Sequence, residues 1–175
     1  MSSILAADQL KSDACRALAS HWKDQCRGRA MPARADIDPL TLPRRALPHV
    51  FLAEIQPTGE APPRFVYRIV GTAITAMTGR DVTGHAIGAE TYGALAGEIL
   101  KPFRRVAANA RPIATQLRAD HDAGCFEFET VYLPLGQGAQ PHFVLGAIGR
   151  LDRSWAKFAA DAAFRTSFSV HDLAI

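Results

Sequence analysis

Three strand-like runs joined by two short turns constrain the fold of this chain more than any other feature. The runs cover residues 112–119, 126–135 and 142–151. The segments between them, 120–124 (DHDAG) and 136–141 (GQGAQP), are rich in the glycine, proline and aspartate residues that form hairpin turns. Because short hairpin connections require antiparallel neighbours, these residues predict a three-stranded antiparallel meander.

Two further strands and a group of helices precede the meander. Residues 49–55 and 65–70 have the composition of strands and are joined by a turn rich in proline and glycine. A short helix is predicted over 72–78, and the apolar spacing predicts a longer one over 91–110. Pro102 cannot donate a backbone hydrogen bond, so it is expected to kink the longer helix or to start a new turn.

The order of these elements predicts an α+β fold, a five-stranded antiparallel sheet with helices on one face. Such a sheet and its helices can enclose a small cavity, which is a natural place for a ligand. The predicted domain covers 47–151. Residues 1–46 are expected to form an amphipathic helix over 8–27 and an extended linker, and 152–175 a helical tail beginning at Ser154.

Short motifs in a fixed order resemble one known family. Residues 71–84 (GTAITAMTGRDVTG) resemble the core of PAS domains, in which a strand leads into a short helix and glycines flank the next connector. Trp22, the linker 32–39, the strand entry 47–52 (LPHVFL) and 67–72 (YRIVGT) extend the resemblance to a bacterial family of short, stand-alone PAS proteins. The resemblance covers most of the chain and implies the PAS fold.

The same resemblance implies a sensory or regulatory protein without catalytic activity. Such a protein would bind a small ligand, a protein partner or both. Because the sequence contains no kinase, cyclase or DNA-binding segment, it would signal in trans. The alternative is a PAS scaffold with a filled core that acts only through protein contacts.

The familiar PAS cofactors lack their usual residues in this sequence. Haem sensors typically place a histidine on the long helix, but 91–110 contains none, and His85 before it is better explained as a loop or capping residue. Flavin photosensors need a cysteine in an Asn-Cys-Arg context, whereas Cys125 follows a glycine at the start of a strand. We therefore expect neither haem nor flavin, and the identity of any ligand stays open.

Nine side chains are candidates to line the cavity, although a dry core filled by the same side chains is an equally open interpretation. They are Tyr67, Arg68, Met77, Tyr92, Ile99, Phe103, Phe128, Phe143 and Leu145.

Arg68 stands out because it interrupts an otherwise apolar strand. One interpretation is a donor for an anion inside the cavity, since a guanidinium matches a carboxylate in shape. The other is a cross-strand ion pair with Glu127 or Glu129. We favour the ion pair, and a buried arginine must in any case have a partner.

Residues 131–135 are apolar on both strand faces or interrupted by Pro134, which a bulge would explain, or cover of the second face by the N-terminal helix or by a partner. We favour cover by a partner. The N-terminal helix also needs cover for the face that carries Leu10, Leu18 and Trp22. We therefore predict a homodimer formed through this helix and the sheet, with a signalling partner protein in addition.

Cysteine usage and the N-terminus indicate a cytoplasmic protein. The three cysteines form no CxxC pair, which excludes a disulfide framework or a dense zinc site. The N-terminus lacks the basic and apolar regions of a signal peptide, and no stretch approaches the roughly 18 apolar residues of a membrane span.

Neither nucleic-acid binding nor catalysis is expected. The net charge is only +3, and the arginine-rich segment 27–45 is interrupted by Asp36 and Asp38 and lacks aromatic residues for base stacking. Catalytic motifs such as GxSxG and HExxH are absent. The two aspartates, like the turn at 120–122, are explained by turn formation better than by metal binding.

Overall fold

Seven β-strands form one sheet in the computed structural model, which describes residues 3–121, 124–151 and 165–175. The sheet has the order β1-β7-β4-β5-β6-β2-β3. Its neighbouring strands are antiparallel except β1 and β7, which run parallel. In chain order the strands are β1 (Ser3–Ala6), β2 (Val50–Thr58), β3 (Ala61–Val70), β4 (Ile113–His121), β5 (Gly124–Gln137), β6 (Gln140–Arg150) and β7 (Arg165–Ala174).

The α-helices of the described residues are α1 (Asp13–Cys26), α2 (Thr72–Thr78), α3 (Ala89–Tyr92) and α4 (Ala96–Asn109). Helix α2 has the predicted bounds, but the predicted helix over 91–110 is interrupted. The interruption is at Gly93, whose φ of 54° an L-residue rarely adopts, whereas Pro102 lies inside α4. None of the helices described is long and apolar enough to cross a membrane.

The five predicted strands are present as β2 to β6, in the predicted antiparallel order. The predicted strand number was too low, because β7 pairs with the outer edge of β4 and β1 adds to β7. These additions satisfy backbone groups that an edge strand would leave unpaired. The predicted helical tail is therefore wrong at 165–174, and the helix predicted from Ser154 lies outside the described residues.

The sheet carries a separate hydrophobic core on each face. Alternate strand residues point to opposite faces, so Tyr132 belongs to one core and Leu133 to the other. We call the face under α2 and α4 the inner face; it carries Tyr132 and Val144. The outer face lies under α1 and carries Leu133 and Leu145.

Helix α1 covers the outer face of the sheet within the same chain. Leu10 and Leu18 are fully buried, Trp22 is 4% exposed, and the indole N–H of Trp22 donates to the carbonyl of Pro134 at 2.8 Å. The prediction that Leu10, Leu18 and Trp22 form a dimer surface is therefore wrong, because these side chains are already buried against their own sheet. The same contact explains why 131–135 is apolar on both faces.

A fully buried carboxylate fixes the start of α1 to the sheet. The Glu129 side chain accepts hydrogen bonds from the backbone N–H of Ser12 at 2.8 Å and of Lys11 at 3.2 Å. The Gln116 side-chain amide donates to it at 3.2 Å. Backbone N–H groups at a helix start have no partner within the helix. Here a strand residue 117 positions away supplies a partner for Ser12.

Gly149 on β6 faces this junction, and a side chain there would collide with the start of α1. A Cβ atom on Gly149 would lie 1.8 Å from the Ser12 Oγ and 2.3 Å from the Ser12 Cβ. We expect Gly149→Ala to lower the free energy of unfolding by about 1 to 3 kcal/mol, the usual cost of overpacking, as measured by urea denaturation.

The matched control for this prediction is Gly97→Ala on α4, where an added Cβ would meet nothing within 4 Å. Because alanine is the better helix former, this variant should keep or slightly raise the stability. Equal stabilities for the two variants would contradict the close approach of α1 to β6.

Candidate functional site

A cavity of about 160 Å³ lies between the inner face of the sheet and the helices α2 to α4. Its wall is mainly aliphatic and aromatic, with a few hydroxyl groups and one guanidinium among the described residues. The lining side chains are those of Phe51, Tyr67, Val70, Ile74, Met77, Thr78, Arg80, Val82, Tyr92, Ile99, Phe103, Thr115, Leu117, Phe128, Thr130, Tyr132 and Ile148.

Six of the nine residues predicted for the cavity lie in its wall. Phe143 and Leu145 do not, because they pack on the outer face while Val144 and Ile148 of the same strand face inward. Side chains alternate between the two faces along a strand, so a choice that is wrong by one residue selects the side chains of the opposite face. The six that the structure brings together are Tyr67, Met77, Tyr92, Ile99, Phe103 and Phe128.

Arg68 also lies outside the cavity, where its side chain is 45% exposed and pairs with Glu54 of β2. Its Nε and Nη2 atoms donate to one Glu54 oxygen at 3.0 and 2.5 Å. The favoured interpretation of a cross-strand ion pair is thus confirmed, but its partner was wrong. Glu127 pairs with Arg118 at 3.0 Å, and Glu129 holds the start of α1. Arg68 as a donor inside the cavity was wrong.

Because the pair is exposed, we expect Arg68→Ala to lower the free energy of unfolding by less than about 1 kcal/mol at pH 7. Hydrogen bonds from Arg68 and then Gln56 hold the pKa of Glu54 below its ordinary value of 4.5. The ion pair therefore stabilises the folded protein fully at pH values above 4.5. This stabilisation is lost as the pH falls through the lowered pKa of Glu54. Urea denaturation of the wild type and of Arg68→Ala at pH 7 and pH 3 measures this stabilisation. A stability difference between the two proteins that was larger at pH 3 than at pH 7 would contradict the ion pair.

Phe103 of α4 forms the aromatic centre of the inner core and is 1% exposed. Its ring centroid lies 5.1 Å from that of Tyr132, 5.5 Å from Phe65 and 5.7 Å from Phe51. The rings meet in edge-on or tilted orientations, which aromatic pairs favour. Three of these rings, those of Phe51, Phe103 and Tyr132, form part of the cavity wall.

Three tyrosine hydroxyls are among the polar groups of the wall. The hydroxyls of Tyr67 and Tyr92 are hydrogen-bonded to each other at 3.0 Å, and Tyr132 lines the cavity together with Thr115 and Thr130. Burial raises the pKa of all three tyrosines above the ordinary value. At neutral pH these groups are therefore neutral hydrogen-bond donors and acceptors.

Arg80 places a positive charge at the mouth of the cavity. Its guanidinium carbon lies 5.5 Å from the centre of the Tyr92 ring, and its Nη2 donates to the carbonyl of Thr91. Arg80 was not among the predicted cavity residues, because it lies in a segment with turn composition. Both of its contacts depend on how the chain returns at α3, so no local pattern could have revealed them.

The described residues do not fit the cofactors common in PAS domains. No described lining residue is histidine or cysteine, so the described wall offers haem no imidazole ligand and flavin no thiol. His85 is exposed, with its Nδ1 3.2 Å from the carbonyl oxygen of Thr83. The cavity is also smaller than the roughly 300 to 1,000 Å³ of common ligand pockets.

Nor do the described residues contain a group of three or more histidine, cysteine or acidic side chains that could hold a metal ion. The turn considered as a metal site at 120–122 lies partly outside the described residues. Cys15 is buried against the outer face, where desolvation raises the pKa of its thiol to about 12. A thiol in that state is neither a ready metal ligand nor a nucleophile at neutral pH.

Comparison with known families matches residues 10–149 to the family described as PAS domain. No curated protein matches the chain. Among solved structures, the chain is similar to a LOV protein of Rhodobacter sphaeroides, with 19% identity and a TM-score of 0.43 over 61% of each chain. A variant of that LOV protein gives 20% identity and a TM-score of 0.41, over 63% of this chain and 66% of the other. The match thus spans less than two thirds of those structures.

Proposed function

The chain belongs to the PAS domain family, and on that premise we propose that its cavity binds a small ligand and that occupancy changes its contact with a partner protein. It would thus be a sensory or regulatory protein that signals in trans. The observation that carries this proposal is the cavity of about 160 Å³ on the inner face. Mainly apolar walls with a few convergent polar groups are typical of binding sites.

A scaffold that acts only through protein contacts is the second candidate function. The small volume favours it, because the cavity is about half the lower end of the usual range for ligand pockets. Under this proposal the space is a packing defect beside Phe103 and no ligand enters it. The two candidates differ in whether filling the cavity changes what the protein binds.

Native mass spectrometry of protein purified without refolding tests the proposal. We expect a small mass to accompany the chain and to be lost in Ile148→Phe, because Ile148 lines the cavity. The matched control is Ile69→Phe, the same substitution at a side chain that is 39% exposed. A mass retained by Ile148→Phe would place the ligand elsewhere. A bare wild-type chain that small acids and amides do not stabilise against heat would support the scaffold.

We also propose a protein partner and a homodimer, with an interface away from the face covered by α1. We place this interface at Leu40 and Leu47, whose apolar side chains are 92% and 37% exposed. Light scattering over a range of protein concentrations tests the dimer. A monomer throughout would contradict it.

A cytoplasmic location and the absence of nucleic-acid binding are further proposals. Cys15 and Cys26 are unpaired thiols, which is typical of a reducing compartment. Part of the arginine-rich segment is engaged within the chain, since Arg29 pairs with Asp36 at 2.7 Å and Arg34 donates to the Ile37 carbonyl at 2.9 Å.

We propose no catalytic activity. The cavity tyrosines stay protonated at neutral pH because burial raises their pKa, and the Cys15 thiol does so for the same reason. None of these groups is therefore poised as a general base or nucleophile.

A further inference from the structure

Arg80 is the one arginine among the described residues that line the cavity, and it has no carboxylate partner among the described residues. Arg80 is exposed, and its guanidinium contacts the Thr91 carbonyl and the face of the Tyr92 ring, which also lines the cavity. These two contacts orient the side chain, yet neither neutralises its charge. Arg80 thus places a positive charge beside the cavity, and no carboxylate among the described residues forms an ion pair with it.

The hydroxyls of Tyr67 and Tyr92 leave a hydrogen-bond donor beside this charge. Two hydroxyls carry two protons, and the 3.0 Å bond between them uses one. Neither hydroxyl has another hydrogen-bond partner among the described residues. The second proton is therefore available to a ligand, and because burial raises the pKa of Tyr67 and Tyr92, both hydroxyls stay protonated at neutral pH.

The apolar part of the wall limits the body of the ligand. Ile74, Met77, Ile99, Phe128 and Ile148 offer no hydrogen-bonding groups comparable to a hydroxyl or amide. An apolar cavity of about 150 Å³ is large enough for benzene, and this one has about 160 Å³. A compact apolar body fits, whereas a dicarboxylate would bury a second charge with no second cationic group among the described lining residues.

We propose that the ligand is a compact monocarboxylate with an aromatic or branched aliphatic body. Its carboxylate binds Arg80 and the hydroxyl pair of Tyr67 and Tyr92, and its body fills the space beside Phe128 and Ile148. One guanidinium and one free hydroxyl proton match a single carboxylate. A phosphate group carries more negative charge than the single guanidinium of the described wall balances. This inference rests on the proposed function, because it requires that the cavity take up a ligand.

Isothermal titration calorimetry with two acid and amide pairs tests the inference. The probes are benzoate with benzamide and 3-methylbutanoate with 3-methylbutanamide, which are close in shape within each pair and differ in charge. We expect at least one acid to bind about tenfold or more tightly than its amide, as a charge-assisted hydrogen bond provides. Arg80→Gln should abolish this preference and leave amide binding within about twofold. Arg64→Gln, at an exposed strand position outside the cavity wall, should change neither.

The outcomes separate this inference from the function on which it rests. If acid and amide bind equally well, or if the preference for the acid persists in Arg80→Gln, the ligand is not recognised through a carboxylate. The proposal that the cavity binds a small ligand is not contradicted by either result. If none of the four probes binds, the result contradicts the monocarboxylate ligand and also the proposal that the cavity binds a small ligand. Circular dichroism of the variants checks that each is folded, and amide binding by Arg80→Gln shows that its cavity is intact.

Discussion

Replacing Trp22 with alanine is expected to lower the free energy of unfolding by about 3 to 5 kcal/mol, the usual cost of truncating a buried tryptophan. The side chain is 4% exposed and packs in the outer core with Leu133 and Leu135. Its indole N–H also donates to the Pro134 carbonyl at 2.8 Å, so truncation removes a buried hydrogen bond as well. Urea denaturation at 25 °C measures the change.

Trp22→Phe is the matched variant, because it keeps a large ring and removes the indole N–H. We expect it to cost less than Trp22→Ala, on the order of 1 to 3 kcal/mol. A loss below about 1 kcal/mol for Trp22→Ala would mean that α1 does not pack on its own sheet. The helix would then be available to a second chain, as the sequence first suggested.

Phe103→Ala is expected to have a similar cost on the inner face, again about 3 to 5 kcal/mol. Phe103 is 1% exposed, and its ring contacts those of Phe51, Phe65 and Tyr132. Because Phe103 also lines the cavity, the truncation enlarges the cavity as well as weakening the core. Urea denaturation measures the stability, and calorimetry measures whether acids larger than benzoate now bind.

Phe103→Leu keeps part of the ring volume and should cost less than the alanine variant, roughly 1 to 2 kcal/mol. The two variants therefore form a series in which stability falls as the vacated volume grows. If both left the stability unchanged, Phe103 would not be the centre of the inner core. An unchanged preference for small acids in Phe103→Ala would show that its ring does not limit the size of the ligand.

Local sequence patterns predicted the central elements of the fold well. Helix α2 has the predicted bounds of 72–78, and the predicted strands correspond to β2 through β6. These elements are bounded by glycine, proline and turn residues whose backbone preferences act locally. Strand β7 was missed because its position depends on the free edge of β4, which no local pattern describes.

The candidate site was predicted only in part, for two physical reasons. Strand β6 is apolar on both sides, so its sequence did not show whether Val144 or Leu145 faces inward. Helix α1 covers the outer face, so the residues on that face are apolar too. The alternation of apolar and polar residues that normally identifies the buried face of a strand is therefore absent from β6. The six correct residues lie where one face of the strand or helix was clearly the apolar one, or where aromatic size favoured burial.

Polar groups were harder to place than apolar ones. Glu129 was considered as a partner of Arg68, but it is fully buried and bonded to Lys11 and Ser12 at the start of α1. Arg80 was not considered, although it carries the charge at the cavity mouth. Both assignments depend on contacts between distant parts of the chain, whereas the sequence patterns report only on neighbours.

The central claim, that the inner cavity takes up a small ligand, is tested most directly by NMR of the isoleucine δ1-methyl groups during titration with benzoate. Ile74, Ile99 and Ile148 line the cavity, whereas Ile37 is buried in the outer core and serves as an internal control. We predict saturable shifts of the three cavity methyl groups while the Ile37 signal stays in place. Cavity methyl signals that do not move, or that move no more than Ile37, would contradict the claim.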